Sequence, residues 1–118
     1  MVPTGVTIIS MTVPFSEFQK IELRVGKVKN VEEIEGLDRV YKLEVDLGER
    51  KKRTIIAGVK EYLEPYELLG KSIVVVANLE PKDVRGVLSE GMLLAAEVDG
   101  RPILLVPEEE VKPGTPVH

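Results

Sequence analysis

The sequence predicts an all-β domain on the OB plan, a five-stranded Greek-key barrel with one short helix and a C-terminal extension, with a sandwich or another small barrel as the alternatives. Three observations predict it. Apolar and polar residues alternate over 21–28 and 41–47, the period of a half-buried strand. The period changes to a helical one only over 61–69. Three strand signals precede that change, and two more strands with a trailing hairpin follow it.

The elements run in this order. Residues 1–14 read as an N-terminal arm, with Val6–Ile9 as a short additional strand and Met11 as a second candidate start. The domain proper is expected over 15–118. The first strand, 21–28, carries Gly26 inside its alternation, which points to a bulge or a close backbone approach. Tyr41, Leu43, Val45 and Leu47 mark the buried face of the second strand, and Gly48-Glu49-Arg50 its turn. Thr54–Val59 is its hairpin partner. In the helical stretch Tyr62, Leu63, Tyr66 and Leu69 share one face, Pro65 suits the first turn and Gly70 the stop. Tyr41, Tyr62 and Tyr66 are accordingly assigned to the core. Ser72–Leu79 is apolar on both faces and predicted central. A polar loop, 78–92, leads to the strand Met92–Val98, an Asp99-Gly100 hairpin turn and Ile103–Val106. Pro107, Pro113, Gly114 and Pro116 describe an irregular tail.

With 118 residues, 43% of them apolar and 31% charged, the chain is one soluble globular domain. No apolar run approaches the ~20 residues of a membrane span, and no basic segment precedes Val6–Ile9 as in a signal peptide. A cytoplasmic location is expected. The net charge of −4 hides an asymmetry: residues 20–60 hold 11 Lys or Arg against 8 Asp or Glu, residues 61–118 hold 5 against 11. A local positive face is therefore available on an acidic chain.

The chain is not read as an enzyme, and no cofactor or metal is expected. Cysteine is absent and the only histidine is the last residue, His118, so no thiolate site, triad or imidazole base can be assembled. Ser89 has no base beside it. Gly70-Lys71-Ser72 imitates the end of a phosphate-binding loop, but Pro65 stands where that loop needs glycine, and a strand follows instead of a helix. The Glu108–Glu110 run is solvated surface.

The pattern does suit binding. Arg24, Lys27, Arg39, Lys42 and Arg53 lie on or beside the first three strands, the usual nucleic-acid face of an OB barrel. The 78–92 loop gathers Asn78, Lys82, Arg85 and Ser89, with Met92 as a polarisable apolar contact at its edge. Two phenylalanines and three tyrosines are few for a generic single-strand binder, which stacks bases on aromatics. A folded RNA, read by shape and a few bases, needs fewer.

The segments 23–28 (LRVGKV), 45–48 (VDLG), 57–59 (AGV), Asn78-Leu79-x-Pro81 and Arg85-Gly86-Val87-Leu88-Ser89-x-Gly91-Met92 resemble the structure-specific tRNA-binding domain family over about residues 15–117. That family includes the C-terminal domain of many methionyl-tRNA synthetases and free-standing dimeric tRNA-binding proteins, and an export chaperone shares the fold. The resemblance implies a homodimer that binds tRNA by shape. From its length the chain is most similar to the separate beta subunit of a methionyl-tRNA synthetase, with the catalytic subunit as a further partner. The expected tRNA-binding residues are Arg39, Arg53, Asn78, Lys82, Arg85, Ser89 and Met92. The alternative reading is a peptide-binding or export-related chaperone of the same fold. Two departures from the family stand out. Asp83 replaces a usually basic residue, and Ile34-Glu35-Gly36-Leu37-Asp38 replaces a His-Pro-Asx-Ala-Asp run.

Overall fold

The computed structural model describes residues 11–118. The arm strand read at Val6–Ile9 lies outside the described residues. One helical turn, α1 (Phe15–Phe18), precedes β1 (Leu23–Ile34), β2 (Leu37–Asp46) and β3 (Arg53–Ala57). Then come α2 (Pro65–Leu68), β4 (Ser72–Val76), β5 (Lys82–Val84), β6 (Val87–Ser89), β7 (Met92–Leu93), β8 (Ala95–Val98), β9 (Arg101–Leu104) and β10 (Pro116–Val117). The main sheet has the order β3-β2-β1-β4-β7, all antiparallel, and β10 adds to β1. β4 is central, as its two-sided apolar pattern demands. The architecture is the expected OB-type barrel with a C-terminal extension.

Period-two alternation builds the core. Val28, Leu43, Val45, Leu47, Ile55, Ile73 and Val75 have no accessible surface, and Leu68 of α2 plugs the barrel end beside them. Gly26 is the close approach its position predicted. A Cβ there would lie 2.6 Å from Val45 Cγ1 and 2.8 Å from Leu47 Cδ2. The bulge falls instead between Val28 and Asn30, where the β1–β2 register shifts. β1 runs on to Ile34 beyond the predicted end, because Asn30–Glu33 stay paired with β2, with Val31 packed against the core between polar neighbours.

Two core assignments are corrected. Tyr41 is buried and its hydroxyl donates to the Leu63 carbonyl at 2.7 Å, which satisfies the polar end of the ring. Tyr62 and Tyr66 are 49% and 77% exposed. The helix is a single turn from Pro65 to Leu68, held at its start by a reciprocal Glu64–Glu67 capping box. So short a helix buries only Leu68, and the apolar face read over 61–69 never forms.

The strand predicted at Met92–Val98 is divided between two sheets. Met92–Leu93 pairs with β4, while Ala95–Val98 folds back on β9 through Asp99 (φ 50°) and Gly100 (φ 78°). Both residues have the positive φ of a type I′ turn. The 78–92 segment is not an irregular loop. It contains the β5–β6 hairpin, turned at Arg85 (φ 54°) and Gly86 (φ 86°).

Candidate functional site

The β5–β6 hairpin stands against the outer edge of β3, and the space beside it reaches Val40 of β2. Side-chain alternation places Val40 and Lys42 of β2 on one face. Ile56 of β3, the cross-strand partner of Lys42, lies there too. Between this floor and the hairpin lies an open groove of about 670 Å³, lined by Val40, Ile56, Leu79, Val84, Lys82 and Met92 among others. Ile56 and Met92 also line a neighbouring cavity of about 330 Å³ that reaches β8 and β9. The two spaces are neighbours that share Ile56 and Met92, and each also has a carboxylate in its lining, Glu80 in the first and Glu97 in the second.

The seam between β3 and the hairpin explains why the groove has a fixed shape. β3 is the edge strand of the main sheet, and its outer N–H and C=O groups need partners. Ser89 and Glu90 supply them. The Ile56 N–H donates to Ser89 Oγ at 3.0 Å, and the Thr54 N–H to Glu90 Oε1 at 3.0 Å. The Glu90 N–H donates to the Thr54 carbonyl at 2.8 Å. Side chains thus do part of the work that a ladder strand would do.

The seven residues singled out from the sequence fall into three groups. Lys82 and Met92 line the groove, and Arg85 stands at the turn of the hairpin that walls it. Lys82 and Arg85 are exposed, and neither has an ion-pair partner among the described residues. Met92 is 47% exposed at the junction of the two cavities.

Arg53, Asn78 and Ser89 are engaged within the fold. Ser89 is buried, accepts from Ile56 and donates to the Gly91 carbonyl at 3.2 Å. The Asn78 amide ties the end of β4 to the start of β1: Oδ1 accepts from the Glu22 N–H at 2.7 Å, and Nδ2 donates to the Lys20 carbonyl at 2.6 Å. Arg53 forms a bidentate pair with Glu49 at 2.9 and 2.8 Å. Its Nη1 donates to the Ala77 carbonyl and, at 3.1 Å, to the Glu90 carbonyl. These three side chains are thus engaged inside the fold by the chain's own groups. Each bonds to backbone of a distant segment, Arg53 also to the Glu49 carboxylate and Ser89 also to the nearby Gly91 carbonyl.

Arg39 stands apart. It alternates away from Val40 on β2 and lies 3.7 Å from Glu61, with 83% of its side chain exposed. The structure does not bring it to the groove.

Asp83 has a different place from the one its charge suggested. Its Oδ1 accepts the Gly86 N–H at 2.8 Å. It thereby braces the turn in which Arg85 holds an unfavourable positive φ. The groove floor itself escaped sequence reading. The signal was present in Ile55-Ile56: two neighbouring β-branched residues on one strand must face opposite sides, and only Ile55 enters the core.

Charge around the groove follows from which cations are already neutralised. Lys20, Arg24, Lys27, Arg39, Arg53 and Lys60 each lie within ion-pair distance of a glutamate. Lys42, Lys82 and Arg85 do not, among the described residues. Glu80 is the one carboxylate in the groove lining, against Lys82 in the lining and Lys42 and Arg85 beside it. A largely apolar groove with more cations than carboxylates around it suits an anionic ligand with apolar faces, and nucleic acid combines both.

Fold and groove define an OB-type binding domain. The family model described as "Putative tRNA binding domain" matches residues 23–116, and the chain belongs to that family. A methionine–tRNA ligase of Pyrococcus abyssi is 50% identical over 108 residues, covering 92% of this chain and 15% of the ligase. The chain thus spans about one-seventh of the length of the ligases it matches. Among solved structures, a MetRS-related protein from Pyrococcus horikoshii superposes with a TM-score of 0.84 at 40% identity, covering 91% of this chain and 98% of that one. The chaperone CsaA from Bacillus anthracis superposes with a TM-score of 0.81 at 32% identity, over 91% of this chain and 99% of that one.

Proposed function

We propose that this chain is a non-catalytic tRNA-binding protein, the separate beta subunit of a methionyl-tRNA synthetase, which holds tRNA by shape in trans to a catalytic subunit in the cytoplasm. The observation that carries the reading is the groove, lined by Lys82 and one carboxylate, Glu80, with Lys42 on the same face of β2 as Val40 and Arg85 at the hairpin turn, all three cations without an ion-pair partner among the described residues. Cations of this kind replace the counterions of a phosphate backbone, and Met92 with Ile56 offers an apolar surface to an unstacked base. The family match and the likeness to methionine–tRNA ligases support it.

The test is tRNA binding by fluorescence anisotropy across a salt series, with Lys82→Ala/Arg85→Ala beside the unmodified protein. The double variant is expected to bind more weakly and to lose about 1.5 units from the slope of log K against log salt. No detectable tRNA binding at low salt would sink the proposal.

A second copy of the chain is part of the same reading. Met11, Val13, Phe15, Phe18 and Ile21 are 43–71% exposed around α1. This apolar surface suits burial in a homodimer, and two tRNA sites in one particle add avidity. Sedimentation equilibrium is expected to give a dimer, and Phe15→Glu/Phe18→Glu a monomer. A monomeric unmodified protein at micromolar concentration overturns the homodimer.

One observation favours a second reading, that of a peptide-binding chaperone. The apolar groove would accept an extended peptide, and the likeness to CsaA is of similar strength. That reading expects suppression of client aggregation with no preference for tRNA, so the two assays run side by side separate them.

A further inference from the structure

Outside the groove, the densest uncompensated charge is the β2–β3 turn, where Arg50, Lys51 and Lys52 follow one another and all are exposed. None has an ion-pair partner among the described residues, and residues 1–10 contain no Asp or Glu that could supply one. The turn's own acidic residues are occupied. Glu49 is held by Nε and Nη2 of Arg53, and Asp46 Oδ1 accepts the Gly48 N–H at 2.8 Å.

The turn is rigidly mounted relative to the groove. Arg53, directly after Lys52, bonds to the Glu90 carbonyl at the foot of the β5–β6 hairpin. Gly48, at the other foot, is packed against Pro113 and Gly114 of the tail. Ile56 in the groove floor is four residues further along β3, which at about 3.3 Å per residue puts it about 13 Å from Lys52. A nucleic-acid backbone that passes the groove can span that distance with a few phosphates.

Resting on the tRNA reading above, we propose that the Arg50–Lys52 turn is a second contact site, which takes the phosphate backbone of the same RNA beyond the groove. It contacts phosphates without reading bases. Its three side chains are flexible cations with no aromatic neighbour in the turn, and phosphate contacts position a nucleic acid while carrying no sequence information. The groove supplies shape and base contacts, and the turn supplies reach and salt-dependent affinity.

The experiment is a salt series of tRNA binding with Arg50→Ala/Lys51→Ala/Lys52→Ala, and with Arg101→Ala as a control for net charge. Arg101 is exposed in the β8–β9 hairpin and has no ion-pair partner among the described residues. The triple variant is expected to lose about 2 units of salt slope, and the control less than about half a unit. The triple variant should melt at the unmodified temperature, because the replaced side chains make no contact that holds the fold. A folded triple variant with an unchanged slope, while the unmodified protein binds, overturns this proposal and leaves the groove reading standing. An equal loss in the control also overturns it, since net charge alone would then account for the effect. No binding by the unmodified protein at low salt overturns both.

Discussion

Arg53→Ala is expected to lower the melting temperature by about 8 °C while the purified protein still binds tRNA below its transition. The guanidinium joins three separate parts of the chain: Glu49 in the turn, Ala77 at the end of β4 and Glu90 beside β6. Alanine leaves two carbonyls and a carboxylate without their donor. Leaving such partly buried acceptors unpaired costs about 2 kcal/mol, and about 4 °C per kcal/mol follows for a domain of this size. Thermal unfolding beside the anisotropy assay separates this role from ligand contact. A variant that melts normally but has lost tRNA binding would return Arg53 to the binding surface.

The same pair gives the variant a signature in acid. The Arg53 hydrogen bonds hold the Glu49 carboxyl below its ordinary value; burial opposes them in part, and the charges of Arg53 and Arg24 add to the lowering. A group whose folded pKa is depressed contributes stability above its unfolded pKa and loses it as pH falls through the folded one. Arg53→Ala should therefore narrow its deficit against the unmodified protein as pH drops below the ordinary glutamate range. Urea midpoints measured between pH 6 and pH 3 would show it. A deficit that stays constant over this range would mean that the Glu49 pair contributes nothing.

The second large effect is expected from Gly48→Ala, at about 2–4 kcal/mol. Gly48 has φ 77°, and a Cβ there would sit 2.6 Å from the Pro113 carbonyl oxygen. Gly114 faces it with φ 92°, and its own Cβ would lie 2.6 Å from the Leu47 carbonyl oxygen. This mutual fit lets the tail cross the β2–β3 turn, and there the Gly114 N–H donates to the Val25 carbonyl at 2.7 Å. Alanine forces backbone apart on both sides, so faster hydrogen exchange at Gly114 should accompany the lost stability. Gly36→Ala is the comparison. Gly36 has φ 84° but open space around it, so only the backbone strain of about 1 kcal/mol applies. Equal losses at the two positions would show that contact with the tail is unimportant.

Much of the barrel was legible because its elements are decided by neighbours in sequence. The alternation over Tyr41–Leu47 places those apolar side chains inside whatever the partner strand is. Asp99-Gly100 makes a hairpin because those two residues tolerate the positive φ the turn needs. Arg85-Gly86 makes the same kind of turn, but arginine gives no such signal, and the brace from Asp83 became visible only in the folded hairpin. Tyr62 and Tyr66 misled for a related reason. Their spacing suits a helical face, yet one turn of helix ends before it can bury them.

The candidate site divides along the same line. Lys82, Arg85 and Met92 could be found from sequence, because exposed cations and an apolar residue beside a turn keep their character wherever the chain carries them. Asn78, Ser89 and Arg53 look no different in sequence, being polar residues near apolar strands. Their partners lie 58, 33 and 37 residues away at Lys20, Ile56 and Glu90. Sequence by itself determined the strand phases, the turns with glycine and the family. The tertiary structure decided which polar groups are spent closing the barrel and which stay exposed without a partner among the described residues. That choice rests on contacts between distant segments, since a buried donor or acceptor takes whichever partner the fold brings within hydrogen-bond reach.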